Sequence, residues 1–311
     1  PPPPPPFFFF THTPASAILS GLVGSEMCIR DSMAEITRED LERRVKRREN
    51  LKDMDLSGLN LDDLAMEGAI FRKCKLTGTT FNHARMAFAR FENCLMNDCE
   101  MQRSNLQEAS IRECDLSNSD LGDSEMTEIN MSKSVLSKTN HSGCFLNHSV
   151  FIGSDLQLCD FSQCTLNGSF LNGAKLMVCD FTAINAENLT AQDVDFTGSM
   201  FEGAHLNSSR MQKSRFNFCN LSVASFKECD LSESQIAFSK LDYVNFSSAT
   251  LNSALLIKVS GIEAALSGAL LNGAKMQRAE LTKSKFDNAE MNGVEDDEAV
   301  FDESSFEGTA R

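Results

Sequence analysis

An all-β solenoid is predicted for residues 51–311, and three observations predict it. Written in fives from Leu51 as LKDMD LSGLN LDDLA MEGAI FRKCK LTGTT, the chain keeps one register without insertion to FEGTA, 52 pentads in all. Of the 52 leading residues 47 are Leu, Phe, Met or Ile, and 46 of the 52 fourth residues are Ala, Ser, Cys, Thr or Val. Thirteen of the 17 glycines stand in third place, directly before the small residue. A small and a large residue flanking one variable residue fit the two-residue alternation of a strand, but a straight strand cannot sustain a period of five. The chain must therefore turn once per pentad, where glycine supplies freedom at positive φ. A helix is excluded, because five residues advance about 500° and would carry the large residue around the axis. Self-similarity at a fixed short period marks repeats that stack to bury a continuous core.

Composition narrows the function. The 311 residues are 41% hydrophobic, with 23 Phe, 14 Met and 11 Cys but one Tyr and no Trp. No apolar run approaches the ~18 residues that span a bilayer, so no membrane is expected. A formal charge of −15 disfavours direct nucleic-acid binding, which needs clustered Lys and Arg.

Residues 1–32 are expected to be a disordered, non-native leader. They open with PPPPPPFFFF and no methionine, lack the basic region of a signal peptide, and end in GLVGSEMCIRDS, which resembles a translated adapter scar; the natural start is expected at Met33. Residues 33–50 are expected to hold a capping helix. Thr37 is placed as N-cap, with Asp40 at the third helical position as in a capping box and Ile36 and Leu41 as a hydrophobic staple. Leu41 and Val45 make a stripe too narrow for a bundle but wide enough for a lid. Six basic residues from Arg38 to Arg48 are interleaved with acids and read as a solvated face.

The segments MEGAIF, LNGSFLNGAKL and LSGALLNGAKM resemble the pentapeptide repeat family, whose pattern is Ala, then Asp or Asn, then Leu, then two variable residues. The resemblance covers residues 51–310, with one departure: only 15 of the 52 pentads end in Asp or Asn, the residue before the next large one. It implies a right-handed quadrilateral β-helix with four pentads per coil, about 13 coils, and a rod about 60 Å long at ~4.8 Å per coil. Two anomalies are expected to be local. Around Ala186 and Ala191 the large slots shrink while Ile184, Leu189 and Val194 enlarge the small ones, conserving volume. Near Gly261, flanked by Ile257, Val259 and Ile262, a bulge or distorted corner is expected.

Candidate chemistry is sparse. Ten of the 11 cysteines, Cys74 to Cys229, occupy small slots and read as core fillers in a reducing, cytoplasmic compartment; no CxxC pair suggests a metal or disulfide. His141 and Cys144 are both inward, and a filled rod offers neither further ligands nor a cleft, so no catalytic residue, metal or cofactor is expected. Triplets such as Asn140 to Ser142 and Asn167 to Ser169 are by-products of the repeat.

Two surface features remain. Some members of the family mimic DNA and inhibit type II topoisomerases, which would suit an acidic rod. Residues 286–311 carry a net −8, however, leaving −7 over 51–285, and the column Glu100, Asp120, Asp160, Asp180, Glu280 is interrupted by Asn140, Met200, Asn220, Lys240 and Ser260. At the turn positions, read every twenty residues, Leu158, Val178, Phe218 and Phe238 form an apolar column broken only by Gly198, and the adjoining column adds Met177 and Ile257. Such a ladder is either a docking face or a set of side chains folded back over their own turns. The expected function is a non-enzymatic scaffold for a protein partner or homodimer, with a DNA-mimicking inhibitor or regulator of a type II topoisomerase as the alternative.

Overall fold

A computed structural model describes residues 36–311; the leader expected at residues 1–32, and Met33 to Glu35, lie outside them. The helix α1 spans Arg38–Lys46, and the Thr37 hydroxyl accepts the Asp40 N–H at 3.2 Å, the N-cap expected of a threonine in extended conformation. The capping box is only half formed: the Asp40 carboxylate, one methylene shorter than glutamate, accepts from the Thr37 hydroxyl and from Arg43. Leu41 is fully buried, with Ile36 and Val45 packed beside it. The basic residues are not all solvated. Arg38 donates to the Asn60 carbonyl at 3.0 Å and the Asp62 carbonyl at 2.7 Å, tying the lid to the first coil.

Beyond α1 the pentads share one burial rhythm, with the first and fourth residues inside, until the last coil, where from Val294 on these positions are only half-buried. Six pentads are extended enough to form three-residue strands: β1 Asn50–Lys52, β2 Ile70–Arg72, β3 Arg90–Glu92, β4 Ser110–Arg112, β5 Ser260–Ile262 and β6 Glu280–Thr282. β1 to β4 form one parallel sheet in sequence order and β5 pairs with β6, always twenty residues apart, as in Leu51↔Phe71 and Gly261↔Leu281. Elsewhere single parallel bridges keep the same interval, so four pentads make one coil. Starting at Asp55, Asn60 and Ala65, three columns take 12 such steps, and the column from Asn50 to Ala310 takes 13. The result is a β-solenoid of about 12 coils carrying one short helix.

The large slots stack ring on ring. Phe161, Phe181 and Phe201 lie in one column with centroids 5.4 and 4.8 Å apart, and Phe196 and Phe216 in the next at 4.9 Å. Edge contacts join the columns, as between Phe196 and Phe201 at 5.4 Å, an arrangement favoured by the ring quadrupole. At the C-terminal coil Phe301 and Phe306 are only half-buried, and the Arg311 guanidinium lies 4.6 Å from the Phe306 centroid.

Small slots do more than fill space. In many pentads the fourth N–H closes the turn on the first carbonyl, as from Ala84 to Phe81 at 3.0 Å. In a second set that N–H turns to a hydroxyl one coil later: Cys99 to Ser119 at 3.0 Å, Cys179 to Ser199 at 2.9 Å, Leu189 to Ser209 at 3.0 Å. The same hydroxyls donate onward to a carbonyl 23 residues earlier, Ser119 to Met96 at 2.9 Å. Thiols do likewise, Cys99 to Leu76 and Cys159 to Leu136 both at 3.0 Å, so the cysteines are hydrogen-bonding members of the core as well as fillers. Ser119→Ala is therefore expected to orphan the Cys99 N–H and cost about 1–3 kcal/mol. Ser234 is the contrast: its hydroxyl has no partner, and the Ser214 N–H one coil earlier already bonds the Met211 carbonyl. Ser234→Ala should be neutral or stabilising in urea melts. Equal losses for the two would show that volume alone matters.

Both anomalies keep register. Ala186 and Ala191 are fully buried, as are Ile184, Leu189 and Val194, consistent with the exchange of volume between slots. No bulge forms at Gly261, because β5 runs in unbroken register with β6. The backbone instead passes so close to the preceding coil that an added Cβ would lie 2.8 Å from the Leu241 carbonyl oxygen. Gly261→Leu, which restores the residue type of most large slots, is thus expected to destabilise by at least about 1–3 kcal/mol in a denaturant melt. A gain in stability would refute the close approach.

Candidate functional site

The third residue of all 52 pentads has positive φ, including the 13 glycines at +67° to +77°. Many turns also carry the N–H of the fourth residue on the carbonyl of the first, and positive φ at the third place is the signature of a type II turn. Glycine meets that demand freely, whereas an L-residue loses about 1–2 kcal/mol there. Valine, branched at Cβ, is the least suited, yet Val178 and Val223 sit at +58° and +61°. Apolar side chains at these sites are held against local preference by a turn shape that every pentad shares, so it is their exposure and their stacking, not the positive φ, that set them apart.

Leu158, Val178, Phe218 and Phe238 are all about half exposed or more, with Phe218 at 63%. Val178 leans toward the next coil, its Cγ2 3.5 Å from where a Cβ on Gly198 would sit. The Phe218 and Phe238 rings stack with centroids 5.0 Å apart and planes within 9°, and the Lys258 ammonium lies 5.2 Å from the Phe238 centroid. Gly198 leaves a gap one coil high between Val178 and Phe218. Met177 is at the edge of exposure, and Ile257 is half-buried one coil beyond Phe238, its carbonyl accepting the Phe238 N–H at 3.0 Å.

The sequence reading missed the other rim of this surface. One pentad on, Val223 and Tyr243 occupy the next turn column and are exposed, and Met200 stands between the two columns. The same twenty-residue count, applied to every third position, would have found them. Between the rims runs the column containing Asp160, Asp180, Met200, Asn220 and Lys240, bridged residue to residue. Its carboxylates serve the backbone. Asp120, Asp160 and Asp180 accept the N–H two residues on, from Gly122 at 3.0 Å and from Ser162 and Thr182 at 2.8 Å. Asn140 and Asn220 do the same for Ser142 and Ser222, which explains why Asp and Asn interchange before a large residue.

The inward candidates are sealed. His141 is fully buried and stacks on Phe161 at 4.7 Å. Thr139 Oγ1 donates to the Leu136 carbonyl at 2.6 Å and lies 3.2 Å from His141 Nδ1, so Nδ1–H is the donor between them, while Nε2 has no partner. Burial lowers the His141 pKa to about 3, keeping the ring neutral. Cys144 donates to the Leu121 carbonyl at 3.0 Å. Burial pushes the Cys219 and Cys229 thiols up to about 12, and all ten cysteines among the described residues are unpaired and buried. No group of three or more His, Cys, Asp or Glu among the described residues could hold a metal ion. Among them, too, no helix is long and apolar enough to cross a membrane.

The pentapeptide repeat region matches residues 64–141 and 209–286, and a model of eight pentapeptide repeats matches 129–168 and 154–188. Similar solved structures include QnrB1, a plasmid-mediated fluoroquinolone resistance protein, at 18% identity over 65% of this chain and 91% of that one, with a TM-score of 0.41. HetL, a pentapeptide repeat protein involved in heterocyst differentiation regulation in the cyanobacterium Nostoc, matches at 19% identity over 88% of this chain and 96% of its own, with a TM-score of 0.29. No curated protein matches the chain. With its register unbroken through 52 pentads, and more than half its length matched by the repeat region alone, the chain belongs to the pentapeptide repeat family.

Proposed function

We propose that the chain is a non-enzymatic scaffold that binds a protein partner through the surface rimmed by Leu158, Val178, Phe218 and Phe238 on one side and Val223 and Tyr243 on the other. One observation carries the reading: exposed apolar side chains stacked coil on coil at turn positions where glycine would be cheaper. Contiguous apolar surface of this kind marks interaction sites, and desolvated aromatic anchors dominate binding energy. Support for a non-catalytic role comes from His141 and the ten thiols, all turned into the core. Unpaired thiols also fit a reducing, cytoplasmic setting.

Phe218→Asp with Phe238→Asp is expected to abolish capture of the partner by the full-length chain while leaving circular dichroism and the melting midpoint in place. Asp120, Asp160 and Asp180 changed together to Asn should preserve the turns, since Asn140 and Asn220 already make the same bond, and should alter chiefly association rate and salt dependence. Were the Asn triple to lose binding and the Phe pair to keep it, a carboxylate-dependent DNA mimic acting on a type II topoisomerase would replace the docking reading. Unfolding of the Phe pair would show that these rings support the coil.

A further inference from the structure

We infer that the occupant of this surface is a basic amphipathic α-helix of a partner protein, laid along the rod with one apolar side chain in the gap over Gly198. The inference rests on the docking reading above and adds the chemistry of the partner. Charge is the first argument. Between the turns from Gln157 to Gln163 and those from Ala237 to Tyr243, the outward residues of this side carry four acids, Asp160, Asp180, Glu202 and Asp242, and one base, Lys240. Lys240 is engaged by Asp242 at 2.9 Å, whereas Asp160, Asp180 and Glu202 have no ion-pair partner within 4.0 Å among the described residues. With Lys240 shared between Asp242 and Glu202, and Lys258 standing over Phe238 at one end, this side still keeps an acidic excess, with Asp160 and Asp180 free of ion pairs beside the apolar rims. A second copy would set the same acidic excess against it, and nucleic acid would be repelled, while Lys and Arg flanking an apolar stripe would complement it.

Spacing is the second argument. The ladder repeats about every 5.0 Å, the separation of the Phe218 and Phe238 rings. An α-helix presents one side chain per turn to a given line every ~5.4 Å, whereas a strand does so every ~6.8 Å, two residues at ~3.4 Å. A helix parallel to the rod thus stays nearly in phase over the four steps from Leu158 to Phe238, and a strand is out of phase after two. Those four steps span about 20 Å, the length of a helix of ~14 residues. Gly198 supplies the seat. It carries no side chain, and the nearest atom to an added Cβ would be Val178 Cγ2 at 3.5 Å, which leaves room beside Val178 for a partner side chain.

The test titrates a labelled synthetic 18-residue peptide, with Leu at one position per helical turn flanked by Lys and Arg, into the full-length chain and reads fluorescence anisotropy. Saturation is expected in the range of about 1–100 µM. Binding should weaken at least tenfold with Phe218→Asp and Phe238→Asp together, and by about tenfold with Asp160→Asn, Asp180→Asn and Glu202→Gln together. Gly198→Phe discriminates further: Phe218 and Phe238 already occupy this turn position, so the variant should fold, though less stably than the parent at φ +77°, and it should weaken binding by filling the gap even though it adds apolar area. Equal binding by a peptide of the same composition broken by two prolines, still sensitive to the Phe pair, would keep the docking face and overturn the helix. No saturation by about 1 mM, binding indifferent to both sets of substitutions, or self-association of the rod through Phe218 and Phe238 in sedimentation would also overturn it. The docking reading falls only if the Phe pair leaves partner capture unchanged as well.

Discussion

Replacing Phe201 by alanine is expected to destabilise the protein by about 3–5 kcal/mol, through lost burial and the cavity left behind. The ring is 1% exposed and stacks on Phe181 at 4.8 Å, with edge contacts to Phe196 at 5.4 Å and Phe216 at 5.6 Å. It thus joins two phenylalanine columns where they meet. In a solenoid each coil touches only its neighbours, so the damage falls on the interfaces around one coil. A urea melt should show the loss together with a broader transition, as the coils on either side begin to unfold separately. Cys94→Ala or Cys159→Ala, which removes a small side chain and a weak thiol donor, should cost far less. Losses of the same size for both classes, or stability that depends on reductant, would mean the thiols are cross-linked instead of free.

A second large effect is expected from His141 and is read as a pH dependence. Its folded pKa is about 3, lowered by burial, against an ordinary value of 6.5. Between these values the unfolded chain binds a proton that the native one refuses. Stability contributed by the neutral ring is therefore complete above pH 6.5 and lost as pH falls toward 3, at about 1.4 kcal/mol per pH unit and roughly 4–5 kcal/mol in all. His141→Phe extends the column of Phe161, Phe181 and Phe201 and removes the unpartnered Nε2. The variant should match or exceed the wild type at pH 7, and its advantage should widen with each unit of acidification. Carboxylates also titrate in this window, but they are common to both proteins, so the difference between the two curves isolates the imidazole. Parallel curves would show that solvent reaches the ring in the native state.

Most of this fold is legible in the five-residue period. The inward slots, the thirteen glycine turns and the Thr37 cap each depend on residues within one pentad or one helical turn, so a linear reading finds them. The pairing of Val223 and Tyr243 with Phe218 and Phe238 into one surface was missed because adjacency there runs in two directions, five residues around the coil and twenty along it. Charge counting shows Asp120 and Asp160 only as members of an interrupted acidic column, and their role as turn acceptors emerges with Gly122 and Ser162 in place.

From its sequence alone, then, the chain determines its register, its core and its repeat, because every pentad encodes the same local decision with a large residue, a small one and a turn. Tertiary structure decided what depends on the coil twenty residues away. Whether Ser119 is needed is set by the amide of Cys99, whether a side chain fits at position 261 by the carbonyl of Leu241, and whether Arg38 is solvated by the carbonyls of Asn60 and Asp62. The positive φ adopted by valine and phenylalanine as readily as by glycine has the same origin: hydrogen bonds between stacked coils hold each turn in one shape, whatever residue occupies it.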